Sequence, residues 1–263
     1  MSLVKASLRG LGMLDEVRAD TSQGRVEIQG KQQPVSEVTW NPPVNGAVYG
    51  VLLNYQGAFD KLKDQMNEPP YKQPPKAPVL YIKPANTLTG CNQPIPLPKG
   101  EEKLEMGAAL AVVVGKTAAR VKAREAYDYI EGYTIANDVS IPHESYYRPA
   151  IKQKARDGFC PIGPWIIPWK EVANPSQLET RVFINGELKQ KNNTENLIRS
   201  IPALLEDVTD FMTLRRGDVL LVGIPEEPPK ARDGDEVRIE IDGIGVLVNP
   251  VVSEEKLSEG GIA

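Results

Sequence analysis

Histidine is nearly missing from this chain: among 263 residues there is one, His143. A zinc centre built from histidines needs two or three, and a serine hydrolase triad would have to be centred on this single side chain. Its bland reading is a partly exposed loop histidine after Pro142. Cysteine is almost as scarce, with Cys91 and Cys160 far apart and neither in a C-x-x-C pair, so a disulfide framework and a paired-thiol metal site are both excluded. Such usage fits a reducing, cytoplasmic setting. No apolar run approaches the roughly 20 residues that a spanning helix needs, and MSLVKASLRG has no signal-peptide core, so no membrane association is expected. Basic charge is not in excess either. A net charge of -4 leaves no electrostatic footprint for nucleic acid, which favours a small-molecule or protein partner. The patterns G-x-S-x-G, P-loop and G-x-G-x-x-G do not occur.

What the chain has in quantity is turns between short apolar stretches. Residues 1–45 alternate polar and apolar with turn residues between them, predicting two or three short antiparallel strands, and NPPVNG at 41–46 sets a soft boundary. VYGVLLNY reads as a buried strand, GAFDKLKDQM as a short polar helix, and NEPPYKQPPKAP as an extended linker or lid. AREAYDYIEGY has helical spacing that ends at Gly132. Beyond it TRVFINGEL, GDVLLVGIP and DEVRIEIDGIGVLVNPVV read as strands with tight turns at Asn185-Gly186 and Asp242-Gly243, interrupted by a helix over ENLIRSIPALLEDVTDFM despite Pro202. Many strands and few helices predict a mainly β (α+β) architecture, a mixed β-sandwich roll. The expected organisation is a small β segment at 1–45, a main domain at 46–255 and a tail at 256–263.

Within the main domain, LEMGAALAVVVGK at 104–116 pairs one carboxylate with a buried-strand pattern. Glu105, Gly107 and Ala109, two apart, are expected to share a face. That face is a metal site with one ligand left, an apolar packing surface, or the remains of a site lost while the fold was kept.

GYTIANDVS, ARDGFCPIGPW, NGELKQ, FMTLRRGDVLLVGIP and GDEVRIEIDGIGVLVNPV occur in an order and spacing that resemble the fumarylacetoacetate hydrolase superfamily over residues 46–255. PPYKQPPKAPVLYIKPANT, VGKTAARV and SYYRPAIKQKARDGFCPIG narrow the likeness to the N-terminal halves of bifunctional decarboxylase/isomerases of homoprotocatechuate (4-hydroxyphenylacetate) degradation. The resemblance implies Mg²⁺ or Mn²⁺ held by two glutamates of a Glu-x-Glu-Leu strand and a later aspartate, with the ion chelating a 2-oxo acid and stabilising its enolate. Aligned on Leu110, the glutamate positions are Gly107 and Ala109; Asp138 remains as the one expected ligand. Glu105 stands one side-chain pair further back, roughly 6.8 Å along an extended strand, against ligand distances of about 2.1 Å.

Where the resemblance places a general acid/base pair, this chain has Ala58 and Lys61, and where relatives put a threonine against the substrate carboxylate it has Ile224. Tyr147, Arg148, Lys154 and Gln190 are kept and can bind carboxylates, with Lys154 also the catalytic candidate. The implied function is a subunit of a 2-oxo acid decarboxylase/isomerase acting on a small dicarboxylic or tricarboxylic acid, with no tightly held Mg or Mn of its own. Its expected partners are a second copy or a metal-competent paralogous subunit. The alternatives are an autonomous enzyme with a metal site rewired through Glu105 and Asp138, and a non-catalytic homodimer.

Overall fold

The computed structural model describes residues 1–9, 14–143 and 149–259. Its centre is a mixed sheet of twelve strands in which Ala108–Val114 lies between Ile130–Asn137 and Val219–Leu221, both antiparallel to it. The sheet continues through Val48–Leu52 to the edge strand Val79–Lys83 on one side. On the other it runs through Cys160–Pro168 to Ser2–Leu8 and the antiparallel strands Asp15–Asp20, Arg25–Ile28 and Lys31–Pro34. The N-terminal strands thus extend the main sheet by pairing Ser2–Leu8 with Cys160–Pro168. A second sheet of five strands is built around Glu179–Ile184, Glu236–Ile241 and Gly245–Ser253. This is the mainly β architecture that the sequence pattern predicts.

All seven residues of Ala108–Val114 are buried, which explains why the strand reads as an unbroken apolar run: both of its faces are covered. Leu110 and Val112 enter the main core, while Ala109, Ala111 and Val113 pack in a second cluster with Ala136, Cys160 and Leu221. Asn185 and Gly186 both take positive φ, as a two-residue hairpin turn between Glu179–Ile184 and Glu187–Asn193 demands.

Two helix expectations change. Ala123–Tyr129 is a 3₁₀ segment, and Ile130–Asn137 is a strand. The helical spacing there is overridden because Ile130–Asn137 is laddered on both sides, and those non-local hydrogen bonds outweigh a weak local preference. The later helix is shorter than its apolar pattern, Ile201–Phe211. Ser200 caps it by accepting from the Ala203 N–H, and Pro202 falls in the first turn, where its missing N–H costs nothing. Pro202 therefore helps to start this helix. Gln56–Leu62 is helical as expected, and residues 68–78 contain neither helix nor strand, lying over an apolar hollow of about 200 Å³ lined by Leu53, Leu62, Met66 and Tyr71. No helix among the described residues is long and apolar enough to cross a membrane.

Candidate active site

The expected continuous strand at 104–116 is broken. Leu104–Glu105 pairs with Lys230–Ala231, Met106 N–H donates to Pro229 O (2.8 Å), and the ladder resumes only at Ala108. Glu105 and Gly107 still reach one cavity, of about 220 Å³, together with Asp138, His143, Lys154 and Ile224. Ala109 does not line it; its methyl belongs to the second apolar cluster. The shared face expected of 105, 107 and 109 is thus split, because the interruption at 106–107 turns the chain between them.

Asp138 follows the end of Ile130–Asn137 and is fully buried. Its backbone N–H donates to Gly107 O at 2.8 Å. Its carboxylate is surrounded by cations. Lys154 Nζ donates to Oδ2 at 2.9 Å, and the Tyr81 hydroxyl donates to the same oxygen at 2.5 Å. Lys83 Nζ lies 2.9 Å from Oδ1 and directs its hydrogen bonds to the carbonyls of Lys154 (2.6 Å) and Val139 (3.2 Å). Burial alone would raise the Asp138 carboxyl; the ammonium groups of Lys154 and Lys83 and the Tyr81 hydroxyl overcome it and hold the acid well below its ordinary range. The same burial, reinforced by the Asp138 charge, pushes the Tyr81 phenol well above its usual value. One carboxylate against two ammonium groups leaves one positive charge, and Lys154, whose side chain is 13 % exposed, is the cation that meets the cavity.

Lys83 and Tyr81 are the site residues that the sequence reading missed. A signal was present: in VLYIK they stand two apart on one strand and so share a face, and a lysine is almost never fully buried without a partner. The neighbouring strand makes room for the phenol. A Cβ on Gly50, which pairs with Tyr81, would lie 2.1 Å from the ring.

Tyr147 and Arg148 lie outside the described residues. Gln190 does not line the cavity; its amide donates to Glu226 O (2.6 Å) and Glu227 O (3.2 Å), bracing a loop at the cavity rim. Glu105 is held by its backbone against Ser140, with its carboxylate 3.7 Å from Lys230 Nζ. His143 is partly buried at the cavity, with Nδ1 3.0 Å from Ile141 O and 3.2 Å from Ser140 Oγ. Ala58 and Lys61 also border the cavity, and Lys61 pairs with the exposed Glu227.

Mg²⁺ takes six oxygen ligands, one or two of them carboxylates free to coordinate and the rest completed by water or substrate, and Mn²⁺ suits the same oxygen donors. Here the Asp138 carboxylate is already engaged by two lysines, the other acids on the cavity, Glu105, Glu226 and Glu227, do not gather with it into a group of three, Gly107 offers no side chain, and Ala109 sits in an apolar cluster. Among the described residues no group of three histidines, cysteines or acids could hold an ion. A Cβ at Gly107 would stand 2.7 Å from Asp138 O and 2.8 Å from Ile224 Cδ1, so the space for a first glutamate ligand is closed. The residues present do not fit Mg or Mn.

Cys160 lies beside this cluster, and Cys91 packs against Val248; both are buried, and burial pushes each thiol up to about 12. Native protein at pH 8 should give no reaction with a thiol-specific disulfide reagent, and two thiols per chain should react once it is denatured. Rapid modification of either in the native state would contradict this packing.

The family described as fumarylacetoacetate (FAA) hydrolase C-terminal matches residues 47–252. The chain is 43% identical over 215 residues to a 4-hydroxyphenylacetate degradation bifunctional isomerase/decarboxylase of Escherichia coli, covering 82% of this chain and 49% of that one. It therefore spans about half the length of the curated relatives it matches first. Among solved structures, 5-carboxymethyl-2-hydroxymuconate delta-isomerase from Mycobacterium smegmatis superposes with a TM-score of 0.78 at 32% identity, over 97% of this chain and 99% of that one. Maleylpyruvate hydrolase from Sphingobium sp. SYK-6, in complex with manganese (II) ion and pyruvate, superposes with a TM-score of 0.70 at 30% identity, over 85% and 77%.

Proposed function

Because this chain belongs to the fumarylacetoacetate hydrolase family, we propose that it is a 2-oxo acid decarboxylase/isomerase subunit whose own pocket works without a divalent metal. The reaction type is that of a 5-oxopent-3-ene-1,2,5-tricarboxylate decarboxylase or 2-hydroxyhepta-2,4-diene-1,7-dioate isomerase, in the breakdown of aromatic compounds. The observation that carries the metal-free part is the engagement of Asp138: its carboxylate is bound by Lys83, Lys154 and Tyr81, and the two expected glutamate positions are Gly107 and Ala109. In place of an ion, the ammonium of Lys154 presents positive charge to the cavity, where it can pair with an acid's carboxylate or with an oxyanion developing at C2. Ile224 and the Leu52–Leu53 wall supply apolar lining beside these polar groups.

The metal-bearing half of the assembly is a paralogous unit with carboxylates at the positions of Gly107 and Ala109. Val79 and Ile82, exposed on the edge strand, supply apolar surface for such pairing or for a homodimer.

Calorimetry with Mg²⁺ or Mn²⁺, with and without oxalate as a 2-oxo acid mimic, tests the reading. The expected result is no tight metal binding, with oxalate bound independently of the ion and lost in Lys154→Met. Tight metal binding abolished by Glu105→Gln would replace this reading with the rewired metal enzyme.

A further inference from the structure

The loop after Val219–Leu221 carries two adjacent acids that the lysine cluster does not use. At Glu227 the backbone takes a φ of +53°, and the two carbonyls flanking the turn are held by the Gln190 amide. A left-handed non-glycine residue persists only where its surroundings fix it, and here the consequence is that the two side chains part. Glu227 runs outward, 79 % exposed, to Lys61. Glu226 turns inward. Its carboxylate lies on the bare backbone of Gly57, where an added Cβ would stand 2.3 Å from Cδ and 2.5 Å from each oxygen. Oε2 is buried and has no hydrogen-bond partner among the described residues, and no lysine or arginine there pairs with Glu226. A buried carboxylate oxygen with nothing to accept is costly, and such an atom in a native fold calls for a functional account. Glu226 borders the same cavity as Lys154.

The geometry points to Glu226 as the general base of a metal-free proton transfer at C3 of a 2-oxo acid, with Lys154 as the cation for the enolate oxygen. This rests on the 2-oxo acid reading above and adds the group that moves the proton. The Glu226 carboxylate takes a proton from C3, and the C–H electron pair becomes the C2=C3 bond. The carbonyl pair moves onto the C2 oxygen, facing the Lys154 ammonium. Returning the proton to C3 regenerates the acid; in a substrate with a further double bond, delivering it to C5 gives the isomer. No oxidant, reductant or second reactant is consumed. A base and a fixed cation on one cavity are the minimum that abstraction next to a carbonyl needs.

The test is exchange of the C3 protons of 2-oxobutanoate in D₂O, followed by NMR on the full chain with EDTA present, with binding measured in parallel by saturation transfer. Wild-type protein should bind 2-oxobutanoate and exchange C3 above the buffer rate. Glu226→Gln should keep binding and lose exchange by about 10²- to 10⁴-fold. Glu226→Asp, a carboxylate one methylene shorter, should keep part of the rate, and Glu227→Gln should match wild type. Binding without exchange by wild type, or unchanged exchange in Glu226→Gln, overturns the base assignment and leaves the 2-oxo acid pocket standing. No binding at all overturns both.

Discussion

Replacing Asp138 by Asn should destabilise the protein by about 3–5 kcal/mol, the usual cost of removing one partner from a buried ion pair. The effect is large because Lys83, with a fully buried side chain, would lose its carboxylate and be left with only two carbonyls. Urea denaturation measures it. A second substitution that removes the stranded cation, Lys83→Met with Asp138→Asn, should recover much of the loss, since the penalty lies in the unpaired charge. A loss below 1 kcal/mol in the single variant would mean that the cluster of Asp138 with Lys83, Lys154 and Tyr81 does not hold this region together.

The pH dependence has a definite sign. The folded Asp138 carboxyl is depressed below its unfolded value of 3.8, burial opposing the shift and Lys154, Lys83 and Tyr81 producing it. Its stabilisation is complete above the unfolded value and is lost as pH falls from there towards the folded one. The gap in stability between wild type and Asp138→Asn should therefore be constant near neutrality and narrow below about pH 4.

Putting glutamates at both 107 and 109 should damage the fold before it builds a metal site. At 107 the new Cβ meets a backbone carbonyl, Asp138 O, which cannot swing aside as a side chain can. Overpacking of this kind costs roughly 1–3 kcal/mol. At 109 the new carboxylate enters a cluster of Ala111, Ala136, Cys160 and Leu221, where an unpaired charge costs several kcal/mol more. Thermal melts of Gly107→Glu/Ala109→Glu should show a midpoint many degrees below wild type, not restored by millimolar Mn²⁺. Recovery of the wild-type midpoint on adding Mn²⁺ would show that only the ligands, and not the space for them, are missing. Trimming Ile224 to Ser in the same background relieves the 2.8 Å contact but leaves the carbonyl, so it should return part of the loss.

Much of this protein is legible without coordinates, for local reasons. The run AALAVVV reads as a strand covered on both faces because seven consecutive small or β-branched residues leave no polar edge to expose, and Asn185-Gly186 reads as a hairpin because both positions tolerate positive φ. The missing carboxylates at 107 and 109 are legible too, since a glycine and an alanine offer no oxygen whatever the fold does around them. By contrast, the 3₁₀ segment Ala123–Tyr129 and the strand after it carry a helical pattern that only the ladders on either side overrule.

The sequence by itself therefore determined the family, the mainly β architecture and the absence of a glutamate pair. Tertiary structure alone decided what took that pair's place. Sheet order sets Val79–Lys83 at an edge, 55 residues in sequence from Asp138, and so brings Tyr81 and Lys83 onto the same carboxylate as Lys154. It decided likewise that at the cavity Glu226 turns inward with a buried oxygen while Glu227 is exposed and paired with Lys61, through a backbone turn braced by an amide from another strand. The physical reason is that a residue's type is local information, whereas burial and the sum of charges around an acid depend on segments that meet only when the sheet is assembled.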